Sequence, residues 1–600
     1  MSDRAAYLRA AAQLRGNPGQ WAAYESRGHC VVLAGPGSGK TKILTAKMAR
    51  MLAEDVHEPR GVACITYNNE CARELEDRLA ALGVEPGGRV FVGTVHSFSL
   101  TQIILPYAKV AGLGLPEAFG VATRAERRAA LAAAVACAVA GPTNPQDWEF
   151  PLGNYRRSIL NRDSAEWRET NLQLAELVEA YEAELRRQGL IDFDDMPLLA
   201  VRALRANPWL QRALLAKYPV LVVDEYQDLG TALHRMVMGL CFSTGMRLFA
   251  VGDVDQSIYG FNGARPDLLR RLSEREDVET VRLRLNYRSG NRIVAASRVA
   301  LGEERDYEAA DAAAQGMVFI HPMSGSYEQQ AARMVGDLLP QALARHRRLG
   351  YCDVAVLYPA AWIGDAVASA AQIAGIPFIR TDGNALYPRS SRLMQWLEVC
   401  SQWCCGGWRT GKPRFTRLVK EGRRLFADAL HSDERMVDFH CRLIAALWDS
   451  RDASQNLHVW LLGLRGRVIE RFAAGCVALR DEMETLASLE ARIAPGGDHA
   501  DMVLGELAGD GEHLDRLTLS TLHSAKGREF DVVLMFGMDS GRLPRNGAGR
   551  SQLAEARRLF YVGFTRAKAE VHLLHTTRRA SPFVDEIERH LAAMDESDWM

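Results

Sequence analysis

The chain has 600 residues, 48% of them hydrophobic and 24% charged, and its 73 Lys and Arg against 74 Asp and Glu leave a net charge of −1. That length exceeds what one hydrophobic core serves, so several domains of about 100–200 residues are expected, and the ordinary globular composition argues against a disordered or collagen-like chain. With no global positive field, any polyanion must be met by local basic surface.

The first twenty residues, MSDRAAYLRAAAQLRGNPGQ, scatter their charges and lack an apolar core, so no secretion signal is expected and the cytoplasm is the expected compartment. The longest apolar runs, 29–35 and 219–224, fall far short of the roughly 20 residues that span a bilayer. HCVVLAGPGSGKTKILTAKMARML reads as strand, glycine-rich turn and helix. GVACITY (61–67) and RVFVGTVHSF (89–98) read as further strands, the second with a Gly-Thr break, and the alternation with helices implies a parallel sheet covered on both faces. From about 105 to 205 the periodicity is helical. Strands return at PVLVVDEYQD and RLFAVGDVDQS, again at MVFIHP (317–322) and DVAVLYPA (353–360), and after a second helical stretch at RLTLSTLH and DVVLMFGM. The expected plan is α/β: two parallel-sheet cores, 1–104 with 206–281 and 282–385 with 512–600, interrupted by helical inserts at 105–205 and 386–511. Cys400, Cys404 and Cys405, followed by His440 and Cys441, lack the tight paired spacing of a metal site, so buried thiols beside Trp403 are expected.

The loop Ala34, Gly35, Pro36, Gly37, Ser38, Gly39, Lys40, Thr41 carries the clearest chemistry. Its glycines let backbone N–H groups turn onto phosphates, Lys40 reaches the terminal phosphates and Thr41 can ligate magnesium. Asp224 ends an apolar strand, where it can hold the magnesium of an ATP complex, and Glu225 follows, placed to polarise the attacking water. Arg288 and Arg566 are candidate arginine fingers on the γ-phosphate.

Further strings occur in a known order. NPGQ, ITYNN (65–69), GTVHSF (93–98), IDFDDMPLLA, VGDVDQSIYGFNGA (251–264), LNYRS, TLHSAKGREFDVV (521–533) and EARRLFYVGFTRAK (555–568) together resemble the UvrD/Rep/PcrA branch of superfamily 1 helicases, from Gln20 to about Phe583. The resemblance implies two RecA-like motor cores that share one nucleotide. It implies that Gln20 reads adenine, Lys42 borders the nucleotide, Tyr287 stacks on the base, Glu529 lies near the ribose and Gln256 senses the γ-phosphate. It implies that Tyr67, Asn69, Thr94, His96, Tyr259, Phe261 and His523 face nucleic acid. Aromatic stacking suits a motor because every base offers a π-face; Phe98 is the motif aromatic for which core packing stays the alternative.

The implied activity is ATP-dependent translocation along single-stranded DNA, 3′ to 5′, with duplex unwinding at single-strand/duplex junctions. The alternative is a DNA-sensing ATPase that regulates a separate nuclease, repair or defence partner, and an RNA motor is a further possibility. Lys42 stands where the family often has an arginine, Asn262 where a basic residue is common, and the second insert is shorter than in housekeeping relatives. That insert carries WRTGKPRFTRLVKEGRRL, where Arg409, Lys412, Arg414, Arg417, Lys420, Arg423 and Arg424 meet only Glu421, interleaved with Trp408 and Phe415. This is either a patch for duplex phosphates or a solvated helix face. No fused nuclease or long partner-binding tail is expected after the last motif.

Overall fold

The computed structural model describes residues 4–84, 87–260, 263–310, 314–388, 390–474, 476, 479–509 and 515–597. Two compact units result: Met1–Met317 with Pro544–Ala569 and Asp585–Met600, and Val318–Leu543 with Glu570–Val584.

The first unit is built on six strands, β1 (His29–Ala34), β2 (Val62–Thr66), β3 (Val90–Thr94), β4 (Val220–Val223), β5 (Arg247–Gly252) and β6 (Val278–Leu283), in the order β3-β2-β4-β5-β1-β6. All the pairings are parallel, for example Cys30 with Phe249, Val62 with Val220 and His29 with Val278. The alternation of side chains along a strand explains why near-continuous apolar runs fit here. Val31, Ala63, Ile65, Leu221 and Val223 enter one core, while Cys30, Val32, Val62, Cys64, Val220 and Val222 enter the other on the opposite face. Each fully buried valine, leucine or isoleucine among them contributes about 1.5–3 kcal/mol. The C-terminal ends of β1, β4 and β5 carry the phosphate-type loop, Asp224 and Asp253, the edge where ligands of parallel α/β sheets bind.

Two strands of the first unit's sheet differ from the expected elements, and in the second unit Phe378–Arg380 and Ala567–Thr576 are strands beyond those expected. The strand expected over 89–98 stops at Thr94, whose hydroxyl accepts the Ser97 N–H at 3.2 Å and caps a short helix, Val95–Phe98. β6 has no counterpart among the expected strands, because VETVRL alternates charge with apolar residues as an edge strand does.

The helical stretch 105–205 holds Arg124–Ala138, opened by a Thr123/Glu126 capping box, and Leu172–Arg187, opened by Asn171. Both pack on a core of their own that includes Leu131, Trp167, Val178 and Tyr181.

The second unit's sheet contains β7 (Met317–Met323), β8 (Val354–Tyr358), β9 (Phe378–Arg380), β10 (Leu517–Thr521), β11 (Phe530–Met535) and β12 (Ala567–Thr576), in the order β7-β12-β11-β8-β10-β9. β8 pairs in parallel with β10 and β11, and β9 with β10. Between β9 and β10 lie helices Arg392–Gln402, Phe415–Leu425, Asp433–Trp448, Leu457–Leu464 and Arg480–Ile493, around Trp396, Phe426, Phe439, Trp460 and Phe472. Cys400 and Cys404 are buried in this cluster with Trp403, and Cys405 packs at its edge. Among the described residues no helix is long and apolar enough to cross a membrane.

Candidate nucleotide and nucleic-acid site

The loop after β1 turns through Gly37 (φ 68°) and Gly39 (φ 85°), conformations that favour glycine, and helix Lys40–Arg50 starts directly behind it. Ser38 is buried and donates to the Gly35 carbonyl at 2.7 Å. Gln20 is buried too; its amide donates to the Ser38 carbonyl at 2.8 Å, so the residue expected to read adenine is fixed to the loop itself. Asn17 caps the helix Pro18–Glu25 by accepting the Gln20 N–H, and its amide donates to the Tyr287 hydroxyl at 2.9 Å. The Tyr287 side chain is otherwise exposed, and its N–H donates to the Gly37 carbonyl at 2.9 Å. A Cβ on Gly37 would lie 2.5 Å from Asn286 Oδ1 and 2.7 Å from Arg288 Cβ, so only glycine admits this approach. Asn286 Oδ1 in turn accepts the N–H groups of Arg288 and Ser289. Pro36 is buried in the loop; Thr41 and Lys42 are half-buried in the first helical turn, where both carbonyls accept the Thr45 hydroxyl.

Lys40 Nζ stands 3.9 Å from Glu225 Oε1 and 3.9 Å from Asp253 Oδ2, close enough to attract both and too far to bond either. Asp224 is buried, its N–H held by the Ile65 carbonyl at 2.9 Å, and Glu225 takes a left-handed conformation (φ 49°) that turns the chain out of β4. Burial pushes the Asp224 carboxyl up to about 7, the adjacent Glu225 adds to this, and Lys40 offsets only part of it. Burial likewise pushes Asp253 up to about 6 against the pull of Lys40. At both aspartates burial therefore outweighs the attraction of Lys40. Hard oxygen donors at Asp224 and Thr41 fit magnesium by chemistry, and a cation beside the desolvated Asp224 carboxyl would favour its charged form.

A polar chain runs on from here. Asp253 Oδ2 accepts the Gln256 amide at 2.6 Å, and Gln256 Oε1 accepts from Arg566 Nη2 at 3.1 Å. Arg566 is buried and also donates to the Val562 carbonyl, while Arg288 Nη1 donates to the Thr565 carbonyl at 3.2 Å. Lys40, Gln256, Arg566 and Arg288, which lie as much as 526 residues apart (566 − 40), are thus joined through hydrogen bonds and close approaches.

Several participants escaped the sequence analysis. Asp253 follows an apolar strand just as Asp224 does, so the same pattern could have found it. Gln227, whose Oε1 accepts the Asp253 N–H at 2.9 Å, lies within the acidic motif. Tyr307 and Arg305 had no signal. A two-residue ladder, Leu285–Asn286 with Glu308–Ala309, brings Tyr307 to the loop, where its ring would lie 2.6 Å from a Cβ on Gly35. The Tyr307 hydroxyl donates to Asp255 at 3.2 Å and Arg305 grips the same carboxylate at 2.8 and 2.9 Å.

Among the residues expected to face nucleic acid, Tyr67 and Tyr259 stack with ring centroids 4.6 Å apart and planes at 18°. Asn69 is exposed at the first turn of helix Asn69–Ala81. Thr94 serves as a helix cap, and His96 lies 5.7 Å from the exposed Phe193 ring, with desolvation lowering its pKa. Phe98 is buried in the core. Phe261 and Asn262 lie outside the described residues. His523 and Glu529 belong to the second unit, between β10 and β11, the former half-buried and the latter exposed.

A glycine-rich loop feeding a helix, beside acidic residues at the ends of neighbouring parallel strands, defines the class: a P-loop nucleoside triphosphatase. Residues 16–277 match the family model for the UvrD/REP helicase N-terminal domain, and residues 499–577 that for the UvrD-like helicase C-terminal domain. The ATP-dependent DNA helicase Rep of Escherichia coli K12 is 27% identical over 93% of this chain and 90% of its own length. The ATP-dependent DNA helicase PcrA of Leuconostoc citreum is 27% identical over 92% and 81%, and UvrD1 of Mycobacterium bovis 26% over 95% and 84%. The chain belongs to the UvrD/Rep helicase family and is an ATP-hydrolysing enzyme.

Proposed function

We propose that the chain is a DNA-stimulated ATPase that translocates 3′ to 5′ along single-stranded DNA and opens duplex at single-strand/duplex junctions. The observation that carries this is the continuity of one segment: Gln256, tied to both Asp253 and Arg566, lies three residues before Tyr259, which stacks on Tyr67. A change at the terminal phosphate is thereby felt at an aromatic pair suited to gripping bases without regard to sequence.

In this reading the phosphates of ATP take Lys40 from its two carboxylates, and Gln20 and Tyr287 border the base. Thr41 and Asp224 hold magnesium, which screens the phosphate charge when bound. Glu225 accepts a proton from the water that attacks the γ-phosphorus, as the bond to the ADP oxygen breaks. Gln256, Arg288 and Arg566 stabilise the charge of the transferring group. Tyr67, Asn69, Thr94, His96, Tyr259, Phe261 and His523 are the proposed strand contacts.

The test combines phosphate release, with and without single-stranded DNA, and strand displacement on duplexes tailed at either end. The expected result is DNA-stimulated hydrolysis with displacement of 3′-tailed substrates. Stimulated hydrolysis without displacement on either tail would replace the helicase with a regulatory ATPase, and greater stimulation by RNA would replace the substrate. Lys40→Ala should lower turnover by about 100-fold or more while strand binding persists; hydrolysis at the normal rate would mean that the phosphate loop is elsewhere.

A further inference from the structure

The basic run in the second insert does more than cover a helix face. Helix Phe415–Leu425 and the turn after it border a groove of about 610 Å³. The half-buried Phe415 and Val419 and the exposed Ala427 give it an apolar floor beside Thr416 and His440, and Lys420, Arg423 and Arg424 also line it, as its rim. Lys420, Arg423, Arg424 and Ala427 follow the spacing of one helix flank and are exposed. Glu421, the one acid between Trp408 and Leu425, is engaged by Arg417 at 2.9 Å, and Lys420 and Arg423 are the exposed cations on which the inference rests. In a chain whose net charge is −1, this is a concentrated local field.

We infer that this groove docks an acidic, amphipathic peptide segment of a protein partner. Two features of the groove select that occupant. The cationic rim calls for carboxylates, which arginine binds in a planar, two-pronged way. The apolar floor calls for aliphatic or aromatic anchors, which a helix presents at every third or fourth position and which dominate interface energetics. Duplex DNA would satisfy the rim and leave the floor wet, because its backbone offers charge and no apolar side chain. Single-stranded bases would need an open aromatic platform, whereas the Phe415 ring already packs against Trp403 with centroids 5.7 Å apart. This inference stands on the groove alone and does not depend on the ATPase reading.

The experiment is fluorescence anisotropy of the full chain with a labelled synthetic peptide carrying Leu or Phe at helical anchor positions and Asp or Glu between them. Saturable 1:1 binding is expected, with none for a control peptide whose acids are replaced by Lys. The paired surface reversals Lys420→Glu and Arg423→Glu, both at exposed positions, should weaken it at least about tenfold, and Ala427→Trp, which fills the floor, by a similar factor. An unchanged melting curve for each variant certifies folding, and the reversal pair carries the test should Ala427→Trp not fold. Absence of binding, binding indifferent to the reversals or to a folded Ala427→Trp, or displacement by duplex or single-stranded DNA with parallel loss of DNA affinity in the variants would each overturn the inference. The last outcome would make the groove a nucleic-acid contact.

Discussion

Two buried acidic clusters in the first unit look alike in sequence and differ in their partners. In the first insert and the turn behind it, Asp192, Asp195 and Glu182 surround the buried Arg156, with Arg156 to Asp192 contacts of 2.6 and 3.1 Å, to Asp195 of 2.8 Å and to Glu182 of 3.0 Å. Arg186 and the Tyr181 hydroxyl complete the set at 2.9 and 3.0 Å. Burial raises Asp192 and the Arg156 guanidinium more than reverses it, leaving that carboxyl below the ordinary range, while burial holds its neighbour Asp195 above it. At the ends of β4 and β5, by contrast, Lys40 stands 3.9 Å from both Glu225 and Asp253, and burial outweighs its attraction at Asp224 and Asp253. Acid clusters are therefore not sites by composition. The one whose carboxylates are bonded by arginines is a structural staple, and the one where burial outweighs the attraction of Lys40 is the proposed magnesium site.

The largest test of that contrast is Arg156→Met. It leaves the buried Asp192 without its arginine, while Asp195 keeps Arg186, and should cost about 3–5 kcal/mol, read as a lower urea midpoint. A cost under about 1 kcal/mol would mean that solvent already reaches the cluster. The opposite substitution, Asp224→Asn, should lower ATP turnover by about 100-fold or more without lowering stability, because burial disfavours this carboxylate more than Lys40 favours it. Equal destabilisation by both variants would erase the distinction.

The pH dependence sharpens it. Asp224 and Asp253 titrate at about 7 and about 6 in the fold against an ordinary 3.8, so between those limits the folded state holds protons that the unfolded state has released. Their stabilising effect is complete below about pH 4 and is lost as the pH rises towards 7, at no more than about 1.4 kcal/mol per pH unit for each group. Thermal melting of the nucleotide-free protein should show this fall, and Asp224→Asn should remove its share. Identical pH profiles for the two proteins would sink the claim.

What could be read before the structure was contiguous. GPGSGKT, VLVVDEYQD and the strands around them declare themselves because a phosphate loop and a buried parallel strand are made of neighbours in sequence. The chain from Lys40 through Asp253 and Gln256 to Arg566 was partly visible: Lys40, Gln256 and Arg566 were named, and Asp253 was passed over although it follows an apolar strand as Asp224 does. The basic run was visible, and the groove beneath it was not, since Phe415, Val419 and Ala427 show as a floor only once the helix and the turn after it are folded. Tyr307 was invisible, since nothing local in GEERDYEAA announces that it will meet Gly35 and Asp255.

Tyr307 also gives the smallest and most discriminating effect. Its ring backs Gly35 while its hydroxyl donates to a carboxylate that Arg305 already holds with two bonds. Tyr307→Phe keeps the ring and removes one hydrogen bond from a carboxylate that stays satisfied, so it should cost about 1 kcal/mol and leave turnover within about twofold. Tyr307→Ala removes the ring against Gly35 and should raise the KM for ATP more than it lowers kcat, because the loop loses its support while the reacting groups stay in place. If the phenylalanine variant were as impaired as the alanine variant, the hydroxyl and its tie to Asp255 would carry the effect, and the segment would act through the γ-phosphate sensor instead of the phosphate loop.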